Sequence, residues 1–136
     1  MTAARGFQTR VNRVPKLCDV VMLDFSPHRG KEPPDTHPGV VMSEQAFNQL
    51  GLCVVVPITH SLLGNKLAVE IPVNRNLGFE GFIHPDRLRA VDHSQRIIGE
   101  RLGVLPSDIY DEVLSRLATI LDPLQRVFKH YAHHIP

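Results

Sequence analysis

Short apolar runs separated by turn-forming residues fill much of this chain. Three continuous runs, rich in β-branched residues, lie at 20–25, 39–42 and 52–58. Such runs predict short buried strands. Apolar residues alternate with others over 67–72, which predicts a half-exposed strand. Further short strands are predicted at 80–84, 87–91 and 95–100.

A long proline-rich connection separates the first two predicted strands. It spans 26–38, and its prolines and glycine exclude a helix or a central strand. They are Pro27, Gly30, Pro33, Pro34 and Pro38. The loop is longer than common connections, and long ordered loops are often functional. After the second strand, Ser43 is a candidate cap for a brief helix over 44–50 that ends at Gly51.

A longer helix is predicted near the end of the chain. Pro106, Ser107 and Asp108 form its start signal, and Pro123 stops or kinks it. Its apolar face is predicted to carry Ile109, Val113, Leu117 and Ile120. Beyond it, Leu124, Phe128 and Tyr131 could extend an amphipathic segment. The pattern divides the chain into a flexible lead-in (1–16), one β-rich α+β domain (17–123) and a tail with a helical pattern (124–136).

Composition favours one folded domain and limits its partners. The 136 residues are 43% hydrophobic, and no apolar run is long enough to span a membrane. The basic N-terminal stretch lacks the apolar region of a secretory signal. Cys18 and Cys53 are therefore interpreted as reduced thiols of a cytoplasmic protein. The net charge of +1 is low for a nucleic-acid-binding protein, so such a site must be a local cluster, to which the eight histidines could add charge near neutral pH.

Four sequence segments occur in a characteristic order. They are Asp-Phe-Ser-Pro-x-x-Gly-x-Glu from Asp24, Pro-Gly-Val-Val-Met-Ser from Pro38, Val-Val-Val-Pro-Ile-Thr from Val54, and Asp-Glu-Val-Leu-Ser-Arg-Leu-Ala-Thr-Ile-Leu from Asp111. Their order and spacing over 19–123 resemble the MazF/PemK/Kid family of toxin endoribonucleases. The resemblance implies an α+β fold: a small SH3-like, partly open antiparallel β-barrel with a C-terminal helix, as in MazF, PemK and CcdB.

The resemblance also implies a reaction and partners. It implies a homodimer that binds mRNA and a cognate antitoxin protein, and that cleaves single-stranded RNA without a metal or cofactor. In this chemistry a base takes the proton of the RNA 2′-hydroxyl, and cations stabilise the phosphate. An acid then protonates the departing 5′ oxygen. The products are a 2′,3′-cyclic phosphate and a 5′-hydroxyl.

Four residues stand where the family places its catalytic groups. Thr59 matches the threonine at the end of the Val-Pro-x-Thr strand, although a strand-end threonine can also bond its own backbone. His37 stands where the family typically has arginine. His84 and Asp86 match an Arg-x-Asp pair in which the aspartate is the proposed base. Imidazole has fewer donors than guanidinium but is a better proton donor near neutral pH, so the changes to histidine indicate either a retuned site or a lost activity.

Basic and acidic loop residues are the candidates for RNA binding. Arg29, Lys31 and Glu32 lie in the first loop, and His60 and Lys66 border the loop after Thr59. A solvated charged loop is the ordinary interpretation of any one of them.

Two alternatives to a nuclease remain at this stage. A relative that binds RNA or antitoxin without turnover would explain the changes at His37 and His84. A gyrase poison with a CcdB-like fold is disfavoured, because the chain lacks tryptophan and does not end on an aromatic residue. His130, His133 and His134 are interpreted as part of a solvated tail rather than a metal site.

Overall fold

Seven strands form one antiparallel sheet within residues 13–27, 30–31, 36–127 and 129, which this computed structural model describes. The strands are β1 (Asp19–Asp24), β2 (Thr36–Val41), β3 (Leu52–Thr59), β4 (Val69–Ile71), β5 (Gly81–Ile83), β6 (Arg89–Asp92) and β7 (Ile97–Val104). The helices are α1 (Gln45–Asn48), α2 (His93–Arg96) and α3 (Ser107–Leu121), and 3₁₀ turns cover Val73–Arg75 and Pro85–Arg87.

Strand β3 is the centre of the sheet. The order is β4-β5-β3-β2-β1-β7, and β6 also pairs with β3. One edge of β3 is shared: its first half pairs with β6 and its end pairs with β5. The result is the predicted open antiparallel sheet followed by a helix, which confirms the α+β fold class.

The core lies on both faces of the sheet. One cluster joins β1, β2, β3, β4 and β5 to helix α3 through Ile109 and Val113, and the other includes Leu23, Phe25 and Val55. The continuous apolar runs of β1 and β3 follow from this, because their successive side chains enter opposite clusters. Helix α3 buries Ile109, Val113 and Leu117 as predicted, whereas Ile120 is exposed.

Some predicted boundaries were wrong. The last strand begins at Ile97 and extends to Val104, beyond the predicted 95–100. The first loop ends before Thr36, earlier than the predicted residue 38. Pro38 already belongs to β2 and lies opposite Met22 of β1, but the pairing of β2 with β3 begins only at Gly39. The proline therefore lies outside the β2–β3 ladder, where its missing N–H is tolerated.

Ser43 does not cap helix α1. The helix begins after Glu44, whose side chain makes no capping bond. The Ser43 hydroxyl instead donates to Asn48 Oδ1 at 2.6 Å and accepts from the Val54 N–H at 2.9 Å. It is therefore used in tertiary structure, because it bridges α1 to β3.

Both ends of the chain lie partly outside the described residues. Of the lead-in, Arg13 pairs with Glu100 and the Pro15 carbonyl accepts from buried Asn48. The predicted segment over Leu124, Phe128 and Tyr131, and the three C-terminal histidines, fall largely outside the described part, so their structure and the domain limits stay predictions. Within that part, no helix is long and apolar enough to cross a membrane.

Candidate active site

Thr59 lies at the end of β3, where β5 comes unusually close. Gly81 permits this approach: a Cβ atom there would lie 2.4 Å from the Thr59 carbonyl oxygen, and its φ of +123° disfavours any other residue. Thr59 pairs with Phe82 in the register of β3 and β5. The glycine thus places the threonine beside the residues that follow β5.

His84 follows β5 directly and is fully buried, with 0% of its surface exposed. Its backbone N–H donates to the Pro57 carbonyl at 3.0 Å, which holds it against β3. The 3₁₀ turn Pro85–Arg87 then leads into β6, which continues antiparallel along β3. The imidazole therefore lies behind the Thr59 side chain.

The Asn65 amide fixes which nitrogen of His84 carries a proton. Asn65 Oδ1 accepts from the Leu67 N–H at 2.9 Å, so Nδ2 is the atom that faces the site. That Nδ2 lies 2.9 Å from His84 Nδ1 and 2.6 Å from Asp86 Oδ1. Because Nδ2 can only donate, His84 Nδ1 must accept, and the proton of the neutral ring is on Nε2.

The same proton arrangement continues to Thr59. His84 Nε2 lies 2.7 Å from Thr59 Oγ1 and 3.2 Å from the Ser61 carbonyl oxygen. The Thr59 hydroxyl donates to the Ser61 carbonyl at 2.7 Å. Asn65, His84, Thr59 and Ser61 thus form one directional chain of hydrogen bonds, which we call the Asn65–Thr59 relay.

His84 is neutral at physiological pH in this setting. Burial lowers the pKa of His84 below its ordinary value. The hydrogen bond to the Ser61 carbonyl and the charge of Asp86 oppose this, whereas Arg87 lowers the pKa further. A second proton on Nδ1 would also face the N–H of Asn65. The lowered pKa opposes a positive charge on His84 near neutral pH.

A pocket of about 550 Å³ opens beside Thr59. The polar residues in its lining include Thr59, His37, His60, Ser61 and Glu80. The half-buried His37 ring packs edge-on against Phe25, with 5.3 Å between ring centroids. Its buried Nε2 has no hydrogen-bond partner among the described residues. Burial, and then the nearby His84 and His60, lower the pKa of His37, so it too is neutral near pH 7.

The predicted site residues divide into those at the pocket and those behind it. Thr59, His37 and His60 line it, and His84 contacts it only through Thr59. Asp86 is exposed and contacts Asn65. Lys31 and Lys66 are exposed and outside the lining, and Arg29 and Glu32 lie outside the described residues. The catalytic and RNA-binding roles of these residues stay predictions.

Sequence reasoning missed how two residues organise the site. Asn65 borders the loop after Thr59 and was only a weaker candidate for RNA binding, so its contact with His84 was not predicted. Arg87 donates to the Lys31 carbonyl and so joins the 3₁₀ turn to the first loop. No sequence pattern indicates that contact, because 56 positions separate the two residues.

The open sheet with a polar pocket at the end of its central strand defines a MazF-like barrel. Deinococcus radiodurans MazF superposes with a TM-score of 0.70 at 30% identity, covering 80% of this chain and 97% of that one. The MazF of a MazE–MazF crystal structure from the same organism gives 0.65 at 27% identity, covering 81% and 97%.

Sequence comparison reaches the same family. The family model for PemK-like, MazF-like toxins of type II toxin–antitoxin systems matches residues 16–121. The chain is 31% identical over 109 residues to the endoribonuclease toxin ChpB of Escherichia coli, covering 76% of this chain and 91% of ChpB. The chain belongs to the PemK-like, MazF-like family of type II toxins.

Proposed function

We propose that this protein is the toxin of a type II toxin–antitoxin system and a metal-independent endoribonuclease that cleaves single-stranded mRNA. Family membership and the name of ChpB, an endoribonuclease toxin, support the activity. The observation that carries the proposal is the pocket that Thr59 and His37 both line.

The reaction needs proton transfer and a donor to phosphate, and the pocket offers both. The 2′-hydroxyl loses its proton, and its oxygen forms a bond to the adjacent phosphorus. The bond from phosphorus to the 5′ oxygen breaks, and that oxygen takes a proton. The products are a 2′,3′-cyclic phosphate and a 5′-hydroxyl, with no metal consumed or required.

Each residue at the pocket has a role in this scheme. Neutral His37 takes the 2′-hydroxyl proton, since a neutral imidazole is a competent base. The Thr59 hydroxyl leaves the Ser61 carbonyl and donates to a phosphate oxygen. His60, the second imidazole in the lining, donates a proton to the leaving oxygen. His84 supports Thr59 from behind.

RNA and an antitoxin are the proposed partners. Lys31, Lys66 and Arg29 bind phosphates on either side of the cut as point charges or forks, and Glu32 orients a neighbouring cation. A cognate antitoxin binds the protein, by analogy with the MazE–MazF structure. The protein acts as a homodimer in the cytoplasm, where its mRNA target resides, and its two free thiols agree with a reducing compartment.

Cleavage of a long, largely unstructured RNA in EDTA tests the proposal. Discrete cuts that leave 5′-hydroxyl ends are expected. Thr59→Ala, which removes the donor to phosphate, should slow cleavage by about 100-fold or more. His37→Ala should cost about 100- to 10,000-fold. Thr119→Ala, an exposed threonine of α3, is the matched control and should cleave like wild type. Intact RNA with folded wild-type protein would contradict the nuclease.

A binding-only relative is the second candidate, and one observation favours it. No arginine or lysine lines the pocket among the described residues, and the pKa values of His37 and His84 are both lowered. The described pocket therefore lacks a permanent cation for the crowded phosphate. If wild-type protein leaves RNA intact, His37→Arg is the deciding variant, because His37 borders the pocket. Cleavage gained in His37→Arg would assign the loss of turnover to that position.

A further inference from the structure

We propose that Asn65 is a positioning residue that holds His84 in its Nε2–H form and thereby keeps the Thr59 hydroxyl a donor to the pocket. The catalytic part of this inference rests on the proposed nuclease function. The structural part, the control of one imidazole by one amide, does not.

Asn65 is fixed in orientation by contacts on every side. Its backbone N–H donates to the Leu62 carbonyl at 2.9 Å, and its carbonyl accepts from the Ala68 N–H at 3.2 Å. Its side-chain Oδ1 accepts from the Leu67 N–H at 2.9 Å. A flipped amide would lose that bond and would place Oδ1 against the Asp86 carboxylate. The donor face of the amide therefore stays toward His84.

Asp86 acts on the site through the same amide. One hydrogen of Asn65 Nδ2 bonds to Asp86 Oδ1 at 2.6 Å, and the other bonds to His84 Nδ1 at 2.9 Å. The negative charge of Asp86 attracts the amide hydrogens and opposes a flip. The carboxylate is therefore part of the support of the relay, one residue removed from the imidazole.

The state of His84 decides what Thr59 can do. With the proton on Nε2, His84 donates to Thr59 Oγ1, so the single hydroxyl hydrogen is free to point elsewhere. It points to the Ser61 carbonyl in this structure and would point to a phosphate oxygen in a complex. With the proton on Nδ1, Nε2 would accept that hydrogen. Thr59 would then present only lone pairs to an anionic phosphate.

A second group also favours the Nε2–H form. The Ser61 carbonyl oxygen lies 3.2 Å from His84 Nε2. This contact is long, and the oxygen already accepts from the Thr59 hydroxyl at 2.7 Å, so Ser61 alone does not fix the proton. The charged groups near the His84 ring are Asp86 and Arg87. His37 is also titratable, and it lies close enough for His84 to lower its pKa. The contribution of Asn65 is measured by changing it while these stay in place.

An exchange of amide and carboxylate tests the proposal. In the double variant Asn65→Asp, Asp86→Asn, residue 65 can still accept from Leu67 and bond residue 86, but it now demands a proton on His84 Nδ1. Nitrogen chemical shifts of the His84 ring, followed from about pH 5 to pH 8, report the protonated atom directly. We expect Nε2–H alone in neutral wild type, and an Nδ1 proton with a raised pKa in the double variant.

Cleavage kinetics give a second readout that a merely structural role would not move. Below the raised pKa, the His84 imidazolium of the double variant still donates to Thr59, and its rate should approach wild type. Above it, neutral His84 accepts from Thr59, and kcat should fall at least about 10-fold. Wild type has no such loss on the alkaline side. Asn74→Asp, a new carboxylate in an exposed turn, is the control and should keep the wild-type profile.

The outcomes are separable. Nε2–H in the double variant, with a wild-type pH profile, would overturn the proposal and would assign the proton position to Ser61. If the double variant does not fold, Asn65→Ala decides: a mixture of both forms supports the proposal, and unchanged Nε2–H refutes it. If wild type cleaves no RNA, the proposed function fails while the ring nitrogen shifts still test Asn65.

Discussion

At the scale of residues, our proposal for the candidate site depends on the protonation of one buried histidine. The sequence resemblance matches His84 to a family arginine, whereas in the structure it is fully buried and bonded on both ring nitrogens. A guanidinium is always charged, whereas this imidazole is neutral, so the two cannot play the same electrostatic part. In the proposed scheme His84 orients Thr59, and His37 and His60 transfer the protons.

The stability of the protein should fall as the pH is lowered through the histidine range. The pKa of His84 in the folded state is below its unfolded value of about 6.5, so the unfolded chain binds the proton first. The contribution is thus fully present above about pH 7 and is lost as the pH falls toward the folded pKa. His37 contributes in the same direction.

Urea denaturation between about pH 5.5 and pH 8 measures this effect. His84→Gln does not titrate and should reduce the slope of the unfolding free energy by up to about 1.4 kcal/mol per pH unit. Thr119→Ala, which changes no titratable group, should keep the wild-type slope. An equal slope in His84→Gln and wild type would contradict the assignment of a neutral, buried ring.

At the scale of elements, the close approach of β5 to β3 and a long side chain of α3 position the site. Gly81 lets β5 approach the carbonyl of Thr59 at the end of β3. Arg116 of α3 donates to the Ala68 carbonyl at 2.8 Å and to the Lys66 carbonyl at 3.4 Å. The loop that carries Asn65 is therefore held between the central strand and the helix.

Replacing Gly81 should destabilise the protein strongly. The Cβ atom of Gly81→Ala would meet backbone at 2.4 Å, which forces β5 away from Thr59. We expect a loss of about 3 kcal/mol or more in the free energy of unfolding, with a parallel loss of cleavage. Gly99→Ala is the matched control, because its φ is +69° but no atom lies within 4 Å. It should cost only about 1–2 kcal/mol. Similar losses in both variants would refute the close approach.

At the scale of the whole molecule, exposed apolar residues on a sheet edge and on helix α3 suggest that a second copy of the chain packs against them. They are Ile98, Leu102 and Val104 of β7 and Leu114, Ile120 and Leu121 of α3. Strand β7 pairs only with β1 within the described sheet and is therefore an edge. A small domain gains stability by covering such surface.

Light scattering at micromolar concentration should give twice the 15.3 kDa chain mass. Ile98→Glu and Leu121→Glu place a charge on the strand edge and on the helix, and at least one should yield monomer if the seam uses these surfaces. Leu50→Glu is the control, because Leu50 is already 81% exposed. A wild-type mass of 15.3 kDa alone would exclude the homodimer.

The order of the elements could be predicted from local sequence. The apolar runs of β1, β2 and β3 and the start of α3 at Ser107 were found because strand and helix periods and proline signals act over a few residues. The resemblance matched Thr59 to a threonine at the end of a strand, and that match also depends only on a few neighbouring residues. The end of β7 and the role of Ser43 were missed, because contacts with distant strands decided them.

The chemistry of the site was decided only by the tertiary structure. The sequence by itself determined which side chains were present and that Thr59 ended a buried strand. The folded chain alone brought Asn65 within 2.9 Å of His84 and buried that ring completely. Protonation depends on burial and on the donors and acceptors that surround a group in space. A histidine that the sequence allowed to be a cation is therefore a neutral, oriented donor in the fold.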